Sequence, residues 1–260
     1  MKTIIVIPAR YASTRFPGKP LVPLLGKPSI LWTLEAGLAV GADAVVVATD
    51  DDRIRMAVEA AGGGVVMTSE SARNGTERCA EAAAALEASD QDVIVNLQGD
   101  APLTPTHFIA ALIDEMRADR TVDATTPVLR CDGESYARFK ADRAAGRVGA
   151  TTAVFAADRS ALYFSKEVVP FLPNPAALAT TPVFHHVGVY GYRPPALRAY
   201  AAAAPGPLEQ AEGLEQLRFL ETGRRMSVVE VDAGGAEFWE LNNPEDVPVI
   251  EAMLKRAEKN

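Results

Sequence analysis

Residues 3–20 read TIIVIPARYASTRFPGKP. The first five, Thr3–Ile7, form an unbroken apolar, β-branched run, the pattern of a strand buried on both faces. Pro8 ends the run, and the chain passes into a segment carrying Arg10, Ser13, Thr14, Arg15 and Lys19. A cationic loop at the carboxyl end of a first buried strand is where an open α/β sheet binds anionic ligands. The loop has neither the Walker pattern nor the glycine triplet of dinucleotide binders. It offers fixed cations, hydroxyls and main-chain N–H groups instead, which suits the roughly four charges of a nucleoside triphosphate and the departure of pyrophosphate.

Working outward, strand-like runs recur at Ala44–Ala48, Val65–Met67 and Val93–Leu97. Amphipathic stretches at Ser29–Val40, Arg53–Ala61, Thr76–Leu86 and Pro105–Arg117 separate them. This alternation predicts right-handed crossovers and a mainly parallel, Rossmann-like open sheet. The second half is less regular. Strands are expected at Ala124–Val128, Thr152–Phe155, Ala161–Phe164 and Val187–Tyr192, and helices at Ala196–Ala203, Leu208–Thr222 and Pro244–Ala257. Residues 130–149 show little periodicity, and Pro170–Pro182 reads as a Pro/Ala-rich loop. A single domain over 1–260 is expected, with a subunit-contact excursion within 130–200.

Charge and composition narrow the function classes. The net charge of −8 argues against a general nucleic-acid binder, yet the first 34 residues hold five cations and no acid. No apolar run approaches the roughly 20 residues that span a bilayer, and Met1–Ile7 is too short for a signal-peptide core. Cys79 and Cys131 have no ligand-like spacing, so a reducing, cytoplasmic setting is the expectation.

The strongest later motif is Val95-Asn96-Leu97-Gln98-Gly99-Asp100-Ala101-Pro102. A buried strand ends in Gln98, suited to a sugar hydroxyl, then Gly99, which permits close backbone approach, then Asp100, a ligand for Mg²⁺, which prefers one or two carboxylates plus phosphate oxygens. Asp50, after the second strand, either faces the site or belongs to a charged turn whose Asp52 caps the next helix. Asn74-Gly75-Thr76-Glu77-Arg78 opens a helix whose free N–H groups suit an anion or a base carbonyl. His186 and Tyr190 fall on one face of a strand, either as a buried pair or as substrate contacts. Glu209, Glu212 and Gln216 share a helix face that is either solvated or sugar-binding.

These blocks together resemble the 3-deoxy-manno-octulosonate (Kdo) cytidylyltransferases: IPARYASTRFPGKPL at 7–21, VATDD at 47–51, NGTER at 74–78, VNLQGDAP at 95–102, ALYFSK at 161–166, HHVGVYGYR at 185–193 and PLEQAEGLEQLR at 207–218. The resemblance implies a dimer that converts CTP and Kdo to CMP-Kdo and pyrophosphate with Mg²⁺. It implies that Arg10, Arg15, Lys19 and Asp100 carry the chemistry. Ala9, Arg10, Ser13, Lys19, Asn74, Gly75 and Arg78 would hold CTP, and Gln98, His186, Tyr190, Glu212 and Gln216 the sugar. Asp100 and Asn242 would hold the metal. The chain departs from the family pattern where the sugar and a second metal ligand are expected. Asn242 replaces an Asp, Thr152 a Lys, Ala101 an acid and Lys166 an Arg. Hence three alternatives accompany Kdo: a Kdo-like acid, a sialic-type acid, or a non-catalytic CTP- or sugar-binding homologue.

Overall fold

The structure, a computed structural model, describes residues 1–13, 15–148, 150–173, 180–234 and 239–257. Thr14 and the centre of the expected 170–182 loop lie outside them. The elements are β1 (Thr3–Ala9), β2 (Pro23–Leu24), β3 (Lys27–Pro28), α1 (Ser29–Ala39), β4 (Ala44–Thr49), α2 (Asp52–Ala60), β5 (Gly64–Met67), α3 (Gly75–Ala85), β6 (Val93–Leu97), α4 (Thr106–Ala118) and β7 (Ala124–Arg130). They continue with α5 (Gly133–Ala144), β8 (Thr152–Phe155), β9 (Ala161–Ser165), β10 (Phe184–His186), β11 (Val189–Tyr192), α6 (Pro194–Ala202), α7 (Pro207–Glu212), α8 (Leu217–Glu221), β12 (Met226–Glu230) and α9 (Asp246–Ala257).

All seven residues of β1 are buried. Ile4 and Val6 face one apolar layer while Ile5 and Ile7 face the other, the period-two alternation of a strand covered on both sides. Helices α1, α2 and α4 fill one layer, and α3 and α6 belong to the other. Strands β1, β4, β5, β6, β7, β8 and β12 run one way through the ten-stranded sheet, and β9, β10 and β11 run the other. The sheet is thus mainly parallel in direction but mixed in pairing, because β11 inserts antiparallel between β6 and β7.

The expected elements of the first half are present within a residue or two. The second half differs in four places. Residues 133–144 form α5, capped by Asp132, whose carboxylate accepts from the Ser135 N–H at 2.7 Å. Phe139 is that helix's one buried residue, so periodicity had nothing to report. The strand expected over 187–192 starts at Val189 as β11, and an unexpected strand, β10, precedes it. The chain leaves β10 at His186, bends at Val187 and Gly188, and enters β11 with new neighbours, so His186 and Tyr190 stand on two strands and not on one. The helix expected over 208–222 is broken at Gly213, which sits at φ +62°, a conformation that glycine adopts at little cost. Strand β12 lies in a segment to which no element was assigned. In the first half, the helix expected to be capped by Asp52 is capped by Asp51, whose side chain accepts from the Arg53 N–H at 2.9 Å.

Arg218, 1% exposed, pins the broken helix to α3. Its guanidinium forms two bonds of 2.6 Å to Glu209 and one of 2.9 Å to Glu77. Burial alone would raise the Glu77 carboxyl, but Arg73 and Arg218 hold it down at about 2. A buried pair of this kind is costly to break, because the carboxylates left behind stay desolvated. Arg218→Ala is therefore expected to lose about 3–5 kcal/mol of stability in chemical denaturation; a loss near zero would show that the network carries no weight.

Candidate active site

The carboxyl ends of β1 and β6 lie side by side because the two strands pair in parallel, Thr3 opposite Val93 through Val6 opposite Asn96. Their following loops converge tightly: a Cβ at Gly99 would stand 2.7 Å from the Pro8 carbonyl oxygen. This contact faces the cationic loop with Asp100, whose carboxylate accepts from the Lys19 ammonium. A cavity of about 460 Å³ opens here, lined by Ala9, Arg10, Ser13, Arg15, Lys19, Asn74, Gly75, Arg78, Gln98 and Asp100. Every residue expected to meet the nucleotide, together with Gln98 from the expected sugar set, therefore borders one space.

Some of these side chains are already engaged by the fold. Asn74 caps α3, its carbonyl oxygen accepting from the Glu77 N–H at 2.9 Å, and its amide donates to the Tyr200 hydroxyl at 2.9 Å. Arg78, buried, donates to Thr68 and, at 3.0 Å, to Asp50. Asp50 is thus the partner of Arg78 and not an independent ligand.

A second cavity, of about 620 Å³, meets the first at Arg15. Its lining includes His186, Tyr190, Gln216 and Asn242, four of the residues expected near the sugar and metal. The His186 and Tyr190 rings lie 5.5 Å apart, the Tyr190 hydroxyl donates to the Gln216 carbonyl at 3.3 Å, and Thr126 Oγ1 lies 3.0 Å from His186 Nε2. Gln216 Nε2 is buried without a partner among the described residues. Asn242 accepts from Arg15 at 2.9 Å and donates to Glu240 at 3.2 Å.

Glu212 is the exception among the expected sugar contacts. It lines neither cavity. Its carboxylate accepts from Ser165 Oγ at 2.7 Å and from the Lys166 N–H at 2.9 Å, fastening the end of β9. The shared face expected for Glu209, Glu212 and Gln216 does not form: the turn at Gly213 sets Gln216 apart from α7, and the three side chains meet Arg218, Ser165 and Tyr190 respectively.

Four residues at these cavities escaped the sequence reading. Glu240 follows a segment with no periodic signal, yet stands where burial, and next the charge of Asp100, raise its carboxyl. Glu215, raised by burial, accepts from the Thr76 N–H at 3.0 Å beside the first cavity. Arg138 belongs to the unrecognised α5, and His185 alternates with His186 on β10. Glu215 and His185 had a usable signal, their places within motifs that carry Gln216 and His186.

Burial drives both histidines neutral, His185 to about 4 and His186 to about 3, in each case from an ordinary 6.5. The folded value lies below the unfolded one, so the unfolded chain takes up a proton that the fold refuses. This contribution to stability is complete above about pH 6.5 and is lost as pH falls toward 3. Glu77 adds its own loss only as pH falls from about 4.5 through 2. The raised carboxyls of Glu215 and Glu240 act in the opposite sense, so the histidine contribution is read as a difference. On acidification from pH 7.5 to 5.5 the urea midpoint of the native chain should lose more, or gain less, than that of His186→Asn, and equal changes would overturn the assignment. Gly99→Ala, which forces the Pro8 and Gly99 backbones apart, should cut CTP binding, measured calorimetrically, by at least tenfold.

Comparison with known proteins places this geometry. The family model described as cytidylyltransferase matches residues 4–226. A 3-deoxy-manno-octulosonate cytidylyltransferase of Maricaulis maris (strain MCS10) is 45% identical over 98% of this chain and 97% of its own. One from Zea mays is 38% identical over 98% of this chain and 81% of its own. A solved structure of CMP:2-keto-3-deoxy-manno-octonic acid synthetase complexed with CTP superposes with a TM-score of 0.85 at 34% identity, covering 99% of this chain and 100% of that one. A cytidylyltransferase from Leptospira borgpetersenii serovar Hardjo-bovis (strain JB197), 18% identical with a TM-score of 0.61 over 98% of this chain and 87% of that one, shares the fold. The chain belongs to the cytidylyltransferase family, in its 3-deoxy-manno-octulosonate group.

Proposed function

We propose that this member of the cytidylyltransferase family joins CTP to 3-deoxy-manno-octulosonate, releasing pyrophosphate. The observation that carries this reading is the cavity where Arg10, Arg15 and Lys19 face Asp100, opening through Arg15 into a second, less cationic cavity. The first suits a triphosphate and the second a sugar acid, and the relatives' names point the same way.

In this reading Arg10, Arg15, Lys19, Ser13 and the loop N–H groups bind the triphosphate. The α3 N-terminus at Asn74 and Gly75 and the main chain at Ala9 hold the nucleoside. His186, Tyr190 and Gln216 line the acceptor cavity, and Gln98 stands between the two. The anomeric oxygen forms a bond to the α-phosphorus as the bond to the bridging oxygen breaks, and the hydroxyl proton passes to solvent. Cations fixed in advance stabilise the charge gathering on pyrophosphate, and the linked cavities hold the reactants in line.

A divalent cation, Mg²⁺ in this proposal, fits the oxygen donors present. Asp100 already meets a cation in the form of the Lys19 ammonium, and the segment that carries Glu240 and Asn242 docks on it through the Leu241 N–H. Among the described residues no group of three His, Cys, Asp or Glu side chains could hold a metal alone, so substrate phosphates would complete the shell. The ion would screen the phosphate charge when bound. Residues 1–260 would act as one domain and pair as a homodimer through residues 130–200. Exposed Leu162 and Phe171 and the edge strand β9 support that pairing. A cytoplasmic setting agrees with the free thiols of Cys79 and Cys131.

A second reading, a different Kdo-like acid as acceptor, is favoured by two positions. Thr152 is buried and donates to the Glu167 carbonyl at 2.7 Å, and Lys166 lies outside the second cavity's lining. Pyrophosphate release with CTP and Mg²⁺ against Kdo, an amino-Kdo, neuraminic acids and buffer alone separates the readings. Kdo is expected to give the fastest turnover, and faster turnover with another acid would assign that acid instead. Asp100→Asn should lower turnover at least 100-fold while CTP still binds; near-normal turnover would remove Asp100 from the chemistry.

A further inference from the structure

A sugar acid brings a carboxylate into the second cavity, and a carboxylate leaving water needs a facing cation. This inference rests on the proposed acceptor class. The cavity lining already holds three acids, Asp142, Glu240 and Asp246, so the need is sharper there. Asp142 is paired with Arg147 at 2.7 Å, and Asp246 accepts from the Asn242 and Asn243 N–H groups.

Candidates reduce quickly. Among the described residues lining the cavity, the cations are Arg15 and Arg138. Arg15 also borders the first cavity and donates to Asn242 at 2.9 Å. Burial leaves His185 and His186 uncharged near neutral pH. Lys166, where the family resemblance implies an Arg, points elsewhere, with its ammonium 3.0 Å from where a Cβ on Gly213 would lie.

Arg138 has what the task requires. Its guanidinium packs 5.3 Å from the Phe139 ring and makes no hydrogen bond or ion pair with any described residue. Its position is fixed by its neighbour: Phe139 is 4% exposed and meets the His185 ring edge-on at 5.3 Å, so α5 holds residue 138 at the cavity rim. A second donor lines the same cavity independently. Gln216 is 2% exposed, its carbonyl is engaged by Tyr190, and its Nε2 has no partner among the described residues. A buried amide donor without a partner costs free energy unless a ligand oxygen satisfies it.

We infer that Arg138 binds the carboxylate of the sugar acid, with Gln216 donating to a further oxygen of the same ligand. The planar guanidinium can take both carboxylate oxygens at once, which a lysine cannot.

The test uses 3-deoxy-manno-octulosonate and its 1-carboxamide, which keeps the shape and removes the charge. Arg138→Ala should raise the KM for the acid by about 10–100-fold, the usual effect of losing a charged hydrogen-bond pair. The KM for CTP and calorimetric CTP binding should stay at native values, which also shows that the variant folds. The native enzyme should prefer acid over amide, Arg138→Ala should lose that preference, and Arg138→Lys should fall between. An unchanged acceptor KM, or an unchanged acid-to-amide ratio, in Arg138→Ala overturns the inference. Absence of turnover by the native chain with any sugar acid instead overturns the functional reading beneath it, before any variant is compared.

Discussion

The site hangs on one close approach. Because β1 and β6 pair in parallel, the chain after each strand leaves the same sheet edge, and residue 99 comes so near the Pro8 carbonyl that no side chain fits. That contact sets Asp100 opposite Lys19. It also gives the C-terminal segment a place to dock, since the Leu241 N–H donates to the Asp100 carbonyl at 2.8 Å and so brings Glu240 and Asn242 alongside. Residues far apart in the chain, Arg15 and Asn242, then meet across 227 positions.

The other wall of the first cavity depends on charge buried for position. Arg218 between Glu77 and Glu209, and Glu215 on the Thr76 N–H, hold the start of α3 against the loops of β1 and β6. Salt bridges of this kind are weak evidence for net stability, since hydrophobic replacements often serve as well. Here they fix where a helix N-terminus points, and a helix N-terminus is what the nucleotide reading needs.

The two cavities differ in the electrostatic task each is built for. The first sets several permanent cations against two carboxylates, Asp100 and Glu215. The second is walled by neutral histidines, tyrosine and amide groups, with acids at its margin and the Arg138 guanidinium, which is unpaired among the described residues. Joining them at Arg15 lets a single side chain border both reactants, an economical way to align two groups that must react in line.

How much of this was legible in the sequence follows from the range of the interactions involved. Local patterns determined the first half: the β-branched run of β1, the alternation of strands and helices, and the cationic loop and QGD motif at strand ends, because periodicity and strand polarity are properties of neighbouring residues. They also carried the family likeness. Tertiary structure alone decided the rest. Helix α5 buries only Phe139, so it left no periodic trace. Gly213 divides one apparent helix because its left-handed backbone turns the chain. Glu212 and Thr152 both hold backbone groups of the segment that follows β9. Glu240 reaches the cavities because Leu241 docks on Asp100, and Arg138 because Phe139 packs on His185, contacts between segments far apart in the chain. A sequence displays which side chains are available; which of them face the same space depends on long-range contacts that no local pattern encodes.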